Sequence, residues 1–429
     1  MIRKVTMNFL NQYKGLRKEN YVLFFGRIVT NLGSMIWPVL TLILTQKMQF
    51  SATQAALIII VAGFILIPAG LIGGKVADKH NKKHVIIYCD LISVALYVTS
   101  AFLPLSFATV ALIIVAAACQ SMEQPSYNAL IADITYTEDR ERAYSLQYLG
   151  SNIGLVASPM IAGFLFNDYL WLSFLISGLA IGLSTIVIFF FLNNITPVVE
   201  DEEEVGSYQK GKKGESLAHI LLHNKVILLY IVMFSIYQAV YQQYAYLMPL
   251  DLGRIHGENG AMIFGSVSSL NCIVVVIFTP IITKVLDKVI PTRKNLYGYV
   301  MLMMGYLIFL LMRGHIPFYY AAIITFTFGE ILTTISNGPY LSARIPESHR
   351  GRIHGFLSVV QGVLQAVFLL VVGVFYDKWG SIFAWGFVLL MLSIAIFGAV
   401  VLIDCDKRRY LELYQPRKKR RKRLDKTKQ

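Results

Sequence analysis

The chain has 429 residues, 56% of them hydrophobic and 15% charged, with a formal net charge of +14. Soluble domains are charged at roughly a quarter of their positions, so this composition excludes an ordinary water-facing surface. The positive balance does not indicate nucleic acid, because the basic residues fall in gaps between apolar runs, mainly on one side of them. Cys89, Cys119, Cys272 and Cys405 are scattered without CxxC or metal-ligand spacing, which removes support for disulfides, zinc or redox chemistry.

In chain order, residues 1–20 are polar and basic and lack the apolar core and small-residue cleavage site of a secretory signal. Crossing a hydrocarbon layer of roughly 30 Å takes about 20 apolar residues. Such runs are predicted at 21–46, 52–76, 84–103, 107–132, 143–166 and 169–192, then at 225–249, 260–284, 295–312, 316–341, 353–376 and 381–404. They define an expected all-α membrane protein of twelve spans. Its parts are a first six-helix bundle (1–192), a charged central loop (193–224), a second six-helix bundle (225–404) and a basic tail (405–429).

Lysines and arginines crowd the N-terminus (Arg3, Lys4), the 2–3 gap, the 4–5 gap (Arg140, Arg142), the central loop, the 8–9 gap (Lys288, Arg293, Lys294), the 10–11 gap (Arg344, Arg350, Arg352) and the tail. With twelve spans these segments share one side, and the positive-inside rule makes both termini cytoplasmic. The halves also echo each other at a separation of about 210 residues (78 to 287 and 140 to 350). Asp78-Lys79 with Lys82-Lys83 is matched by Asp287-Lys288 with Arg293-Lys294, and Arg140-x-Arg142 by Arg350-x-Arg352. A duplicated six-helix unit accounts for the shared spacing.

Between spans two and three the chain reads Gly74-Lys75-Val76-Ala77-Asp78-Lys79-His80-Asn81-Lys82-Lys83. This resembles the signature loop of the major facilitator superfamily, G-x-x-x-D-[RK]-x-[GN]-[RK]-[RK], at every specified position, and the resemblance extends over essentially the whole chain. It implies two pseudo-symmetric six-helix bundles, alternating access, a monomer and no cofactor. It also implies that Gly74, Asp78, Lys79, Lys82 and Lys83 form a conformational switch, with Asp78 against the start of span eleven near Gly351–Gly355. Read physically, Gly74 lets a neighbouring helix approach and Asp78 complements a helix N-terminus.

Span five carries Gly154-x-x-x-Ser158-Pro159-x-x-Ala162-Gly163, which is similar to the antiporter motif G-x-x-x-G-P-x-x-G-G of drug:proton exporters. Small residues suit a tight helix contact and Pro159 a kink, and helices that merely pack closely show the same pattern. The Arg of R-x-x-Q-G that such exporters often carry in span four is missing, with Ala117 in its place.

Charges at membrane depth cost at least about 2.5–3.5 kcal/mol on insertion scales, so each is a functional candidate. Glu123 lies mid-span four and Glu330 mid-span ten, with Asp90 in span three, Arg27 in span one and Asp133 at the end of span four. Glu330, Glu123 and Asp133 are the expected proton-coupling groups, since desolvation penalises a charged carboxylate and favours proton uptake. The resemblance places Glu123 and Glu330 facing each other across a central cavity. Arg27, Asn31, Tyr237, Tyr241, Asn337 and Gln361 are the expected cavity residues; Tyr237, Tyr241 and Tyr244 share a helical face able to stack on a planar or cationic solute. An outer aromatic belt is the alternative for Tyr244 and Tyr246.

The basic run 417–423 is sufficient to attract anionic lipid headgroups. No nucleotide-binding loop is present, so an ion gradient is the expected drive; with it, the resemblance to drug:proton exporters implies proton-coupled efflux of small amphipathic or cationic compounds across a bacterial plasma membrane, without nucleic-acid partners. The rivals are a nutrient symporter for a sugar or peptide, a flippase of a lipid-linked substrate, and a membrane enzyme or receptor, for which no catalytic cluster speaks.

Overall fold

The computed structural model describes residues 13–136, 139–192, 224–286, 288–344 and 350–414, with no strand among them. The central loop up to residue 223, Arg3, Lys4, Asp287, the basic run 417–423 and the side chains of Arg140, Arg350 and Arg352 lie outside the described residues. In lipid, backbone groups must be satisfied within the protein, which selects helices. In chain order these are α1 (Lys18–Leu32), α2 (Ile36–Leu42), α3 (Ala52–Lys79), α4 (Lys82–Phe102), α5 (Phe107–Asp133), α6 (Arg140–Leu165), α7 (Leu170–Phe191), α8 (Lys225–Tyr241), α9 (Gln243–His256), α10 (Gly260–Val285), α11 (Pro291–Leu311), α12 (Ile316–Ser342), α13 (Arg350–Trp379) and α14 (Ser381–Arg409). Among the described residues, eleven helical stretches are long and apolar enough to cross a membrane. Their outward faces carry large apolar side chains such as Phe64, Ile67 and Leu71 on α3, the surface a lipid solvent requires.

Two predicted spans are not single helices. Span one breaks at Gly33–Met35 and widens into a π turn at Ile43–Lys47. Pro38 explains the break: inside a continuous helix its ring would clash with the Ser34 carbonyl, whereas in the first turn of α2 it fits. A Cβ on Gly33 would stand 2.6 Å from that of Ala180 on α7, so the bend also seats against a neighbour. Span seven breaks at Gln242, between α8 and α9, where Tyr306 Oη donates to the Val240 and Tyr241 carbonyls at 2.9 and 3.3 Å.

Predicted spans seven and eight share one 61-residue stretch, 225–285, and the gap expected at 250–259 is mostly helix. A continuous helix of that length would run about 90 Å. The chain instead reverses at Gly257, which has φ +55°. Beyond it a Cβ on Gly260 would lie 2.6 Å from Gly253 Cα, although residues seven apart on a helix are about 10 Å apart.

The described residues fall into two compact units, one within Met1–Glu204 and Ala245–Val276, the other within Val205–Tyr244 and Ile277–Gln429. In the first, α1 packs on α6 and α7, α4 on α5 and α7, and α3 on α5. In the second, α8 packs on α13 and α14, and α11 on α12 and α14. Four pairings thus recur with span numbers shifted by six, as a duplication requires. The core of the first unit gathers Ile36, Val39, Phe166, Phe174 and Ala261; in the second, Trp385 packs beside Tyr306 and Phe309 at 5.0 and 5.3 Å.

α9 and the start of α10 belong to the first unit because their polar groups are satisfied there. Pro249 frees the Ala245 carbonyl, which accepts from Thr41 Oγ1 at 3.1 Å. Tyr246 Oη donates to the Ala52 carbonyl at 2.5 Å, so Tyr246 is buried rather than part of an aromatic belt.

In the second unit, Arg344 is not a loop charge. It is 7% exposed, and its guanidinium forks onto Asp406 of α14, Nε to Oδ1 at 2.6 Å and Nη2 to Oδ2 at 2.5 Å. Tyr340 and Tyr414 donate to the same carboxylate at 3.1 and 2.6 Å, and Arg344 lies 3.9 Å from the Tyr340 ring centroid. Burial, reinforced by the bond to Asp406, pushes the Tyr414 phenol up to about 12, which keeps it a donor at neutral pH. Breaking such a pair on one side strands a buried charge. Arg344→Ala or Asp406→Ala should each cost about 3–5 kcal/mol, and Arg344→Met combined with Asp406→Leu should recover most of it, read as thermal unfolding of the purified protein.

The close approach expected at Gly74 occurs one residue earlier. A Cβ on Gly73 would collide with the Met122 carbonyl of α5, whereas one on Gly74 meets nothing within 4 Å; one residue turns the helix by 100°, enough to change neighbours. Gly73→Ala should therefore lower stability by about 1–3 kcal/mol and Gly74→Ala should leave it unchanged or slightly higher, in the same unfolding measurement.

Candidate functional site

The first unit buries two carboxyl groups together. Asp90 on α4 and Glu123 on α5 are 2% and 3% exposed, and the two carboxyls lie close enough to act on one another electrostatically. Two carboxyls buried this near each other repel when both are charged. Thr185 Oγ1 of α7 donates to Asp90 Oδ2 at 2.7 Å, while Glu123 Oε2 has no hydrogen-bond partner among the described residues. Ser93, one turn from Asp90, donates to the Ala116 carbonyl at 3.0 Å and fixes α4 against α5.

Arg27 supplies the nearby positive charge from α1. Its guanidinium donates to Gln124 Oε1 at 2.9 Å and sits 4.6 Å from the Tyr127 ring centroid. Asn31 donates to the Arg27 carbonyl at 2.9 Å. Sequence spacing singled out Glu123 and Arg27 but gave no way to pair Glu123 with Asp90, 33 positions away (90 to 123) on another helix. The signal available was that each is a lone acid in its span.

Asp133 joins a different group. It is ion-paired with Lys82 at 2.6 Å where α5 ends and α4 begins, while Lys83 Nζ donates to the Phe189 carbonyl at 2.8 Å. The signature segment is mostly helix: Gly74, Asp78 and Lys79 complete α3, and Asn81 caps α4 by accepting from the Lys83 and His84 amides. Asp78 is exposed. Its expected partner near Gly351–Gly355 belongs to the other unit.

The span-five stripe makes two contacts inside the first unit. A Cβ on Gly154 would meet the Ile28 carbonyl and Asn31 of α1; one on Gly163 would meet the Ala261 carbonyl and Met262 of α10, and Gly265 sits against the Pro159 carbonyl. Ser158 and Ala162 are fully buried on the same helix.

In the second unit, Tyr241 Oη donates to Glu330 Oε1 at 2.9 Å, and the Tyr241 ring stacks on Phe326 at 5.4 Å. Tyr237 is 1% exposed, stacked on Tyr299 at 4.5 Å and hydrogen-bonded to Thr333 at 2.7 Å. It is a packing residue supporting Tyr241, not a cavity-lining one, which corrects its sequence-based placement. Asn337 accepts from Tyr230 Oη at 2.7 Å, and Gln361 is half-buried on α13.

Relatives carry related descriptions. The chain is 26% identical over 331 residues to an uncharacterized MFS-type transporter YqjV of Bacillus subtilis (strain 168), covering 75% of this chain and 78% of that one. It is 23% identical over 401 residues to a Na(+), Li(+), K(+)/H(+) antiporter of Planococcus maritimus, covering 86% and 91%. In fold it resembles the peptide transporter POT in complex with alafosfalin (TM-score 0.74, 15% identity, 92% and 95% covered) and the nucleoside transporter NupG (TM-score 0.67, 12% identity, 92% and 100% covered). The family model of the Major Facilitator Superfamily matches residues 23–369, and the chain, an all-helical multi-pass membrane protein, belongs to that superfamily of transporters.

Proposed function

We propose that this chain is a twelve-span proton-coupled antiporter, with both ends in the cytoplasm of a bacterial cell, that exports small cationic or amphipathic compounds by alternating access. The observation that carries the reading is the Asp90–Glu123 carboxyl pair, two acids buried near each other with Glu123 Oε2 unpartnered among the described residues, an arrangement that favours a proton on one of them. Loss of that proton leaves two buried negative charges with Arg27 as the nearby cation, a state that favours the approach of a cationic solute or the uptake of a new proton. Glu330, oriented by Tyr241 and flanked by Phe326, supplies a second carboxylate beside an aromatic face, chemistry suited to an organic cation. The Gly154–Gly163 stripe of α6, seated against α1 and α10, supports an exporter's helix contact, and Asp78 is available in an exposed helix end for switching. The basic tail would rest on anionic lipid.

A second reading replaces the organic cargo with Na+, Li+ or K+. The antiporter of Planococcus maritimus, alike over 86% of this chain, favours it.

Proteoliposomes with an imposed pH gradient separate the two. Proton release on adding an organic cation supports the first reading, and release on adding NaCl or KCl alone supports the second. Glu123→Gln should lower either exchange at least about tenfold, equivalent to about 1.4 kcal/mol of coupling, with folded protein retained. Unchanged exchange in both Glu123→Gln and Glu330→Gln would remove the proton-coupling assignment. Asp78→Asn should abolish transport while leaving expression intact, and full activity in that variant would remove its switch role.

A further inference from the structure

The two acids of the first unit are provided for unequally, and the difference comes from α7. No residue of that helix, Leu170–Phe191, is titratable; what it brings to Asp90 is a hydroxyl. Thr185 is 5% exposed, and its Oγ1 stands 2.7 Å from Asp90 Oδ2 and 2.9 Å from the Ile181 carbonyl oxygen one turn back. A hydroxyl has a single hydrogen to give. When Asp90 is ionised the hydrogen goes to the carboxylate, in a charge-assisted bond about twice as strong as a neutral one. When Asp90 is protonated the acid donates to Oγ1, and the threonine hydrogen turns to Ile181, the carbonyl a helical threonine ordinarily uses. Both states are bonded, and the carboxylate has the stronger bond.

Glu123 has no such provision. Its Oε2 is buried without a hydrogen-bond partner among the described residues, and an unpartnered buried oxygen costs more on a carboxylate than on a neutral acid. The other groups that act on the two acids are Arg27 from α1, Tyr127 and Cys119 on α5, and Cys89 beside Asp90 on α4. Arg27 is the cation among them. Ser184, the residue before Thr185, donates to the Gly26 carbonyl at 3.1 Å. Consecutive residues of α7 thus hold the acid on α4 and the residue that precedes Arg27 on α1.

We infer that Thr185 is a positioning residue that holds Asp90 as a carboxylate and so leaves the exchangeable proton to Glu123. The charge of Asp90 then balances that of Arg27, and release of the proton from Glu123 leaves one net negative charge for a cation to answer. The inference rests on the proton-coupling reading of this pair, and adds which acid exchanges and what holds the other.

Infrared titration of the purified full-length protein, following the carbonyl stretch of buried protonated carboxyls, tests it. In Glu330→Gln, which removes the second unit's candidate acid, the band present at neutral pH should move when the glutamates are isotope-labelled and stay when the aspartates are. A band that follows aspartate and is lost in Asp90→Asn overturns the assignment. In Glu123→Gln, Asp90 titrates without its partner acid. Adding the isosteric Thr185→Val should raise its midpoint by about one pH unit, about tenfold in proton affinity. Thr185→Ala, which also lacks the hydroxyl, should reproduce the shift, and Thr185→Ser should abolish it. Ser184→Ala should lower the thermal unfolding midpoint without moving the titration. An unchanged Asp90 midpoint in both Thr185→Val and Thr185→Ala overturns the inference, as does an equal shift in Ser184→Ala. In proteoliposomes the pH profile of exchange should shift in Thr185→Val and return in Thr185→Ser. Exchange that needs no proton would defeat the coupling reading, while the infrared midpoints still decide whether Thr185 holds Asp90 in its charged form.

Discussion

A backbone group that loses its helical partner inside hydrocarbon finds no water to replace it, and that constraint explains where this chain departs from regular helix and what gathers there. Span one gives up its regular bonds at Gly33–Met35, and the freed region is met by short-range amide bonds and a wall of hydroxyls. Span seven gives them up at Gln242, and Tyr306 donates to the two exposed carbonyls. These are equivalent helices of the two halves. Pro38 and Pro249 are 211 residues apart (38 to 249), close to the offset of the charged repeats. Paired interruptions in corresponding helices are the feature that marks binding regions in transporters built from repeats. Each lies close in sequence or space to the polar groups of its own unit: Arg27 and Asn31 before the first, Tyr241 with Glu330 at the second.

Much of this was legible in residue order. The spans are apolar runs of the right length, and the helices match them to within a few residues because caps such as Ser51 with Gln54 stand where the runs begin. The scarcity of charge at membrane depth pointed to Glu123, Glu330, Asp90 and Arg27 directly. Rotational phase and partnership were not legible. Gly73 and Gly74 are equivalent as letters, and only the packing of α3 on α5 says which one touches Met122. Asp90 and Glu123 meet because α4 and α5 pack at one register among several that their apolar faces would accept. Arg344 read as one more basic residue in a gap because its acid, Asp406, lies 62 positions later (344 to 406).

The comparison with drug exporters also takes a physical form. Span four lacks their arginine, and Ala117 is buried where it would stand. The guanidinium near the buried acids comes instead from α1, held on Gln124 and Tyr127. An arginine reaching in from a neighbouring helix depends on how that helix is held, and α1 is the helix that breaks two turns further on. The charge balance around Glu123 is thus tied to the geometry of the interrupted span.

The bonds around Asp406 reach past the last membrane helix. Tyr410 accepts from Asn224 at the start of α8, and Tyr414 meets both Asp406 and Thr292 at the start of α11. Residues up to Tyr414 therefore fasten the entry points of two other helices to the end of α14. For anyone handling the protein, an affinity tag or fluorescent fusion joined after Tyr414 disturbs none of these bonds, whereas one replacing the chain from Arg409 onward removes the clasp on three helices at once.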